Sequence, residues 1–248
     1  MEKMLKIKEF IKSTPVKHLI RRIRAEKVAK EHAKLHNENE LFYTLSPALL
    51  IGILKAFKML DKSCEGQAYY EFGLFKGFSF WFAEQVSKEY VGSEFTLYGF
   101  DSFEGLPQTK VDNEVIQWAK GNYAASYDFV TSELLKNDAD FSRIKLFKGF
   151  FQKKYFDRLK KEEKFKKAAI CVIDSDIYES CVATLDFIKE YLAPGSVLLF
   201  DDYNALNKND HHGERKALKE FEMSNPAFQK QHLFDFGGNG VAFKVIRV

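Results

Sequence analysis

Four aspartates stand where two apolar runs end. Residues 169–173 form a β-branched run without Gly or Pro, and it stops at Asp174 and Asp176. Residues 197–200 form a second run, and it stops at Asp201 and Asp202. Each run reads as a buried strand. The 27 positions between Asp174 and Asp201 leave room for one helix and a return strand. Helical spacing over residues 178–192 fits that connection. Neighbouring parallel strands would then gather three or four carboxylates at one sheet edge, where open α/β folds keep their ligands. Such close anions repel. A hard divalent cation with oxygen ligands relieves the repulsion, and Mg²⁺ suits that donor set.

A second candidate site lies upstream. Residues 68–73 read as a strand, and Glu71-Phe-Gly-Leu-Phe-Lys-Gly-Phe-Ser79 turns from it into a helix reaching about Tyr90. Gly73 permits a tight turn there, and Gly77 permits close approach of a ligand to the backbone. Amides at the helix start would suit a carboxylate or phosphate. Residues 95–101 are the next strand, and Asp101 at its end is positioned to bind ribose hydroxyls. Residues 102–107 make a turn. Residues 108–143 read as an irregular polar segment with aromatic residues, of the kind that serves as a lid.

The elements that must hold these residues follow in order. Ser46-Pro47 starts a helix as N-cap and first-turn proline. Strands are expected at 144–147 and 197–200, helices at 153–167 and from Gly213 to Phe221, and a terminal β-hairpin at 232–236 and 241–245. The pattern is five β-then-α units followed by a hairpin.

The chain of 248 residues carries a net charge of +3, but residues 1–36 hold eleven Lys/Arg against four Glu. That segment is therefore basic and the remainder acidic. We divide the chain into a basic helical extension, 1–40, and one α/β domain, 41–248. Val16, Leu19, Ile20 and Ile23 give the extension an apolar face. We read it as packing on the domain or on a second subunit, in a homo-oligomer. The alternative is peripheral contact of residues 1–36 with an anionic membrane at its inner face. Nucleic acid is not expected as a partner, because the basic run lacks a binding fold. Cys64, Cys171 and Cys181 have no metal-type spacing, which fits a reducing, cytoplasmic setting. Neither a transmembrane helix nor a signal peptide is expected.

Four blocks in this order resemble the macrocin O-methyltransferase family: Glu71 to Ser79, Tyr98-Gly-Phe-Asp-Ser-Phe-Glu-Gly-Leu-Pro107, Asp174-Ser-Asp-Ile-Tyr-Glu-Ser180, and 194–203. The resemblance spans roughly residues 42–245. It implies a Rossmann-like, seven-stranded methyltransferase fold, mostly parallel, with helices on both faces and an antiparallel strand in the C-terminal hairpin. It implies S-adenosylmethionine held by Glu71, Gly73, Gly77 and Ser79 on one side and by Asp101, Ser102 and Phe103 at the ribose, with Asp174 nearby. It implies Mg²⁺ bound by Asp174, Asp201 and Asp202, and an acceptor hydroxyl on a sugar of a glycan or glycosylated product. The family's base is a histidine in the segment after Leu-Pro, and residues 108–150 contain none. Catechol-type relatives carry a Lys three positions after the first metal Asp, where this chain has Ile177. The base is then expected among Asp176, His211 and His212.

Two readings from other classes compete. Asp174-Ser-Asp176 after an apolar strand also suits a metal-dependent glycosyltransferase. A non-catalytic membrane or assembly adaptor would rest on the basic extension alone.

Overall fold

A computed structural model describes residues 27, 44–60, 67–92, 94–108, 119–205 and 209–248. The expected apolar face of the basic extension lies outside the described residues, as does part of the expected lid. Among the described residues no helix is long and apolar enough to cross a membrane.

The chain runs α1 (Pro47–Met59), β1 (Ala68–Phe72), α2 (Phe78–Tyr90), β2 (Thr96–Asp101), α3 (Tyr127–Lys136), β3 (Ile144–Lys148), α4 (Lys153–Glu162), β4 (Ala168–Ile173), α5 (Tyr178–Ile188), β5 (Val197–Phe200), α6 (Gly213–Ser224), β6 (Gln229–Phe236) and β7 (Gly240–Arg247). The seven strands form one sheet in the order β3-β2-β1-β4-β5-β7-β6. The first five are parallel, and β7 is antiparallel to both β5 and β6. The expected seven-stranded methyltransferase fold is therefore present.

Alternation along the strands fills two cores. Tyr69, Leu97, Val172 and Leu199 face the layer of α1, α2 and α3. Tyr70, Phe72, Phe100, Ile173 and Phe200 face the layer of α4, α5 and α6. All residues of β1, β4 and β5 are buried, as expected for parallel strands covered on both faces. Aromatic rings dominate the second core. Phe72 stacks on Phe100 at 4.6 Å and Phe156 on Phe187 at 4.5 Å. Cys171 and Cys181 are buried, unbridged core residues, and burial pushes both thiols up.

The expected irregular segment is corrected in part, because it contains α3. The Ser126 Oγ accepts the Phe129 N–H at 3.2 Å, and Val130 and Leu134 seat the helix on the core. Two buried positions four apart are too few for the segment's pattern to stand out from a polar loop.

Register creates the site. Phe72 is level with Phe100 and Ile173, and Ile173 is level with Phe200. Bonding continues one residue past these strands: Gly73 N–H to Phe100 O at 2.9 Å, Asp174 N–H to Phe72 O at 2.9 Å, and Asp201 N–H to Ile173 O at 3.1 Å. Gly73, Asp174 and Asp201 therefore leave the sheet side by side. They do so at the point where the strand order reverses between β1 and β4, which opens a crevice.

Gly73 is fixed by this crowding. Its φ is +94°, and a Cβ would lie 1.7 Å from the Asp174 carbonyl oxygen. Gly73→Ala should cost about 2–4 kcal/mol of stability through backbone strain and displacement of β4. Urea unfolding measures this, and an unchanged midpoint would show that the edge can relax.

Candidate functional site

One cavity of about 320 Å³ opens over this sheet edge. The part over β1, β2 and β3 is walled by Gly73, Leu74, Phe75, Ser79, Asp101, Ser102 and residues 149–151. The part over β4 and β5 holds Asp174, Ser175, Asp176, Asp201 and Asp202. Thr44 and Ser46 from the start of α1, Tyr123, and the hairpin turn 237–240 also wall the cavity.

Asp101 organises the first part. Its Oδ2 accepts the N–H groups of Leu74 at 2.7 Å and Phe75 at 3.2 Å, and its Oδ1 accepts that of Phe103 at 2.6 Å. Burial raises its carboxyl above the usual range, and these three donors oppose the rise. The amides of Leu74 and Phe75, in the loop between β1 and α2, are thus engaged by Asp101. Ser102 Oγ donates to Gly105 O at 2.8 Å and stays on the cavity wall.

Three residues expected at the cofactor lie outside the wall. Glu71 is fully buried, accepting hydrogen bonds from Tyr69 and, at 2.5 Å, from Ser79 Oγ. Gly77 has φ +82°, and its missing Cβ would meet Val130 at 2.8 Å, so it serves packing of α2 on α3. Phe103 is buried with its ring against Tyr127 at 5.0 Å.

The acids converge as their spacing requires, with a change in membership. One oxygen from each of Asp174, Asp176 and Asp202 lies within 4.8 Å of the others. The Asp176 side chain neighbours that of Asp202 and opposes the rise that burial imposes on the Asp202 carboxyl. Asp201, expected in the trio, stands beside it and accepts the Ser46 Oγ at 2.7 Å. Ser46 thus holds the N-cap position of α1 without capping it. Burial and then neighbouring charge raise Asp174, and burial and then Asp202 push Asp201 up to about 7. Burial also raises Asp202. Converging hard oxygens are the donor set that a divalent cation fits.

Sequence reasoning missed several residues. Glu214 in the first turn of α6 is buried behind the acids. Tyr123 reaches the wall in a left-handed backbone, as do Phe75 and Asp176. Burial and then the charges of Asp176, Asp202 and Asp174 raise the Tyr123 phenol. The Gly-rich turn 237–240 was legible only as a turn. His211 is exposed and His212 precedes α6; neither lines the cavity, whereas Asp176 does.

A family model described as macrocin-O-methyltransferase (TylF) matches residues 56–243. The O-methyltransferase NovP superposes with a TM-score of 0.74 at 16% identity, covering 92% of this chain and 99% of that one. CalS11, a calicheamicin methyltransferase, gives 0.65 at 18% identity, covering 94% and 93%. Its apo form is described as a TDP-rhamnose 3'-O-methyltransferase. MycE, a mycinamycin-pathway methyltransferase in complex with Mg, SAH and mycinamycin VI, gives 0.51 at 12% identity, covering 90% and 54%. At these identities the likeness is one of fold. Compared with curated protein sequences, the chain has no match.

Glu71 gives a pH prediction. Burial lifts its carboxyl from 4.5 to about 7, despite the bonds from Ser79 and Tyr69. Between these values the folded state holds a proton that the unfolded chain has lost. The contribution is therefore full below pH 4.5 and is lost as pH rises through about 7. It amounts to at most about 3 kcal/mol. Glu71→Gln should make stability fall less steeply across that window than in the parent protein. Superimposable melting-temperature profiles would show that Glu71 is already ionised in the folded state.

Proposed function

The chain belongs to the macrocin-O-methyltransferase family and is an S-adenosylmethionine-dependent O-methyltransferase, and from that premise we propose that it methylates a sugar hydroxyl with the help of Mg²⁺. The observation that carries the cation is the convergence of Asp174, Asp176 and Asp202 oxygens within 4.8 Å. Membership of a methyltransferase family accounts for Asp174-Ser-Asp176 at the end of β4 and overturns the glycosyltransferase and adaptor readings.

S-adenosylmethionine, when bound, supplies a methyl group already activated as a sulfonium, so positioning accounts for much of the catalysis. Mg²⁺, when bound, supplies Lewis-acid charge that makes a hydroxyl more acidic. The chain does the rest. Gly73, Ser79, Asp101 and Ser102 form the proposed cofactor wall, with Asp101 fixing the loop after β1 through two amides. Asp174, Asp176 and Asp202 are the proposed cation ligands. Asp201, the third ligand that the resemblance implies, is proposed to flank the ion and is aligned by Ser46. Asp176 is the proposed proton acceptor, since it opens to the cavity and the two histidines do not. A carboxylate has two oxygens, so one can face the cation while the other takes the proton.

The acceptor class follows from the wall around the acids. Thr44, Ser46, Ser175, Asn239 and the main chain of the hairpin turn offer hydrogen bonds, and Gly238, where a Cβ would meet nothing within 4 Å, leaves space. A polyhydroxylated ring suits such a wall better than a flat apolar acceptor does. CalS11, described as a TDP-rhamnose 3'-O-methyltransferase, supports the sugar reading, and MycE, in complex with Mg, SAH and mycinamycin VI, supports the cation.

Two measurements test it. Methyl transfer from labelled S-adenosylmethionine to a panel of nucleotide sugars and glycosides should vanish with excess chelator and return with Mg²⁺. Asp202→Asn should lose most activity while binding S-adenosylmethionine as the parent does. Full activity in chelator would refute the cation. Separately, Asp101→Ala should weaken S-adenosylmethionine binding by about 1–3 kcal/mol in calorimetry, through lost charge-assisted hydrogen bonds. Unchanged affinity in a folded variant would remove Asp101 from the cofactor site.

A further inference from the structure

Glu214 is a buried carboxylate that the reaction as described does not use. It sits in the first turn of α6 and is 1% exposed. A first-turn glutamate normally stands in solvent, where it meets the positive end of the helix dipole. Here its Oε2 accepts the Asp202 N–H at 3.1 Å. Its Oε1 is buried without a hydrogen-bond partner among the described residues. Burying a carboxylate with one oxygen unmet is costly. The fold sustains it at the one place where it grips the backbone between two cavity acids.

We propose that Glu214 is the positioning residue of the cation site. By holding the Asp202 amide it fixes the peptide joining Asp201 to Asp202. That peptide determines where both side chains go: Asp201 to the Ser46 hydroxyl, and Asp202 to the group with Asp174 and Asp176. The neighbouring residue extends the grip. Arg215 donates to Asn204 Oδ1 at 3.1 Å and to Asp210 Oδ1 at 2.7 Å. It also covers the Tyr203 ring at 4.7 Å. The first turn of α6 therefore clasps the segment after β5 at several points, and only Glu214 touches an acid of the trio. The inference rests on the cation reading above.

The bond and the charge of Glu214 can be separated by substitution. Glu214→Gln keeps an acceptor oxygen at the same reach and removes the charge. Glu214→Asp keeps the charge and is one methylene too short to reach the Asp202 amide. Mg²⁺ alone is titrated into the full chain by calorimetry. S-adenosylmethionine binding and far-UV dichroism serve as controls for folding. Loss of an outer partner of a metal ligand typically weakens affinity about 10–100-fold. Glu214→Asp and Glu214→Ala should show that loss, Glu214→Gln should stay within about threefold of the parent, and S-adenosylmethionine affinity should hold in all of them. A Gln variant as weak as the Asp or Ala variant would overturn the proposal, and so would an Asp variant with parental affinity. If the Ala variant does not fold, the Gln–Asp pair still decides. No Mg²⁺ binding by the parent would instead sink the cation reading, a result that needs no variant.

Discussion

Repulsion among carboxylates at the edge of β4 and β5 is the term to which the rest of this structure responds. Parallel pairing puts Asp174 and Asp201 next to each other because the strands end level. Asp176, Asp202 and Glu214 then stand within the same electrostatic neighbourhood. In water such a group would separate. Here the hydrogen-bonded sheet holds their main chains, so burial first and repulsion second raise the carboxyls of Asp174, Asp201 and Glu214.

Several features far apart in sequence answer that constraint. Ser46, 155 residues earlier and just before α1, brings a hydroxyl to Asp201. Glu214 holds the Asp202 amide from the opposite side. Gly73 gives up a side chain so that β1 and β4 can end in contact. Below the edge, the stacked rings of Phe72 and Phe100 and the edge contact of Phe151 with Phe72 tie a cavity wall to the second core. Such packing resists the spreading that like charges favour.

Much of this was legible in the sequence because buried strands have a strong signature. Apolar runs ending in acid point to β4 and β5 and the acids beyond them, and the strand-turn-helix at Glu71 to Ser79 points to the first crevice wall. The order of five β-then-α units and a hairpin followed from the same periodicity. Other features were illegible for physical reasons. A serine before a proline looks like a helix cap whether or not its hydroxyl turns to Asp201. A glutamate in a first turn looks solvated until α6 is seen to bury it. Gly77 looked like a ligand approach because glycine marks close contact without naming the partner, here Val130. Asp101 reads as a ribose ligand at the end of β2, a role kept in the proposal, and the three amides it also accepts depend on loop folding that spacing does not encode.

The two parts of the cavity are organised differently, and the difference suits a two-ligand reaction. Over β1 and β2, Asp101 draws the amides of three loop residues into one carboxylate, which fixes the wall before any ligand arrives. Over β4 and β5, the acids are aligned by partners from α1 and α6, but their mutual repulsion is left to be met from within the cavity. The first part is a shape already satisfied, while the second is a cluster of converging acids, the proposed seat of the cation. Preorganised groups of the second kind act strongly because the fold has met their reorganisation cost in advance. In the proposed reaction, positioning the donor and polarising the acceptor would fall to separate strands of one sheet, joined where Gly73 meets Asp174.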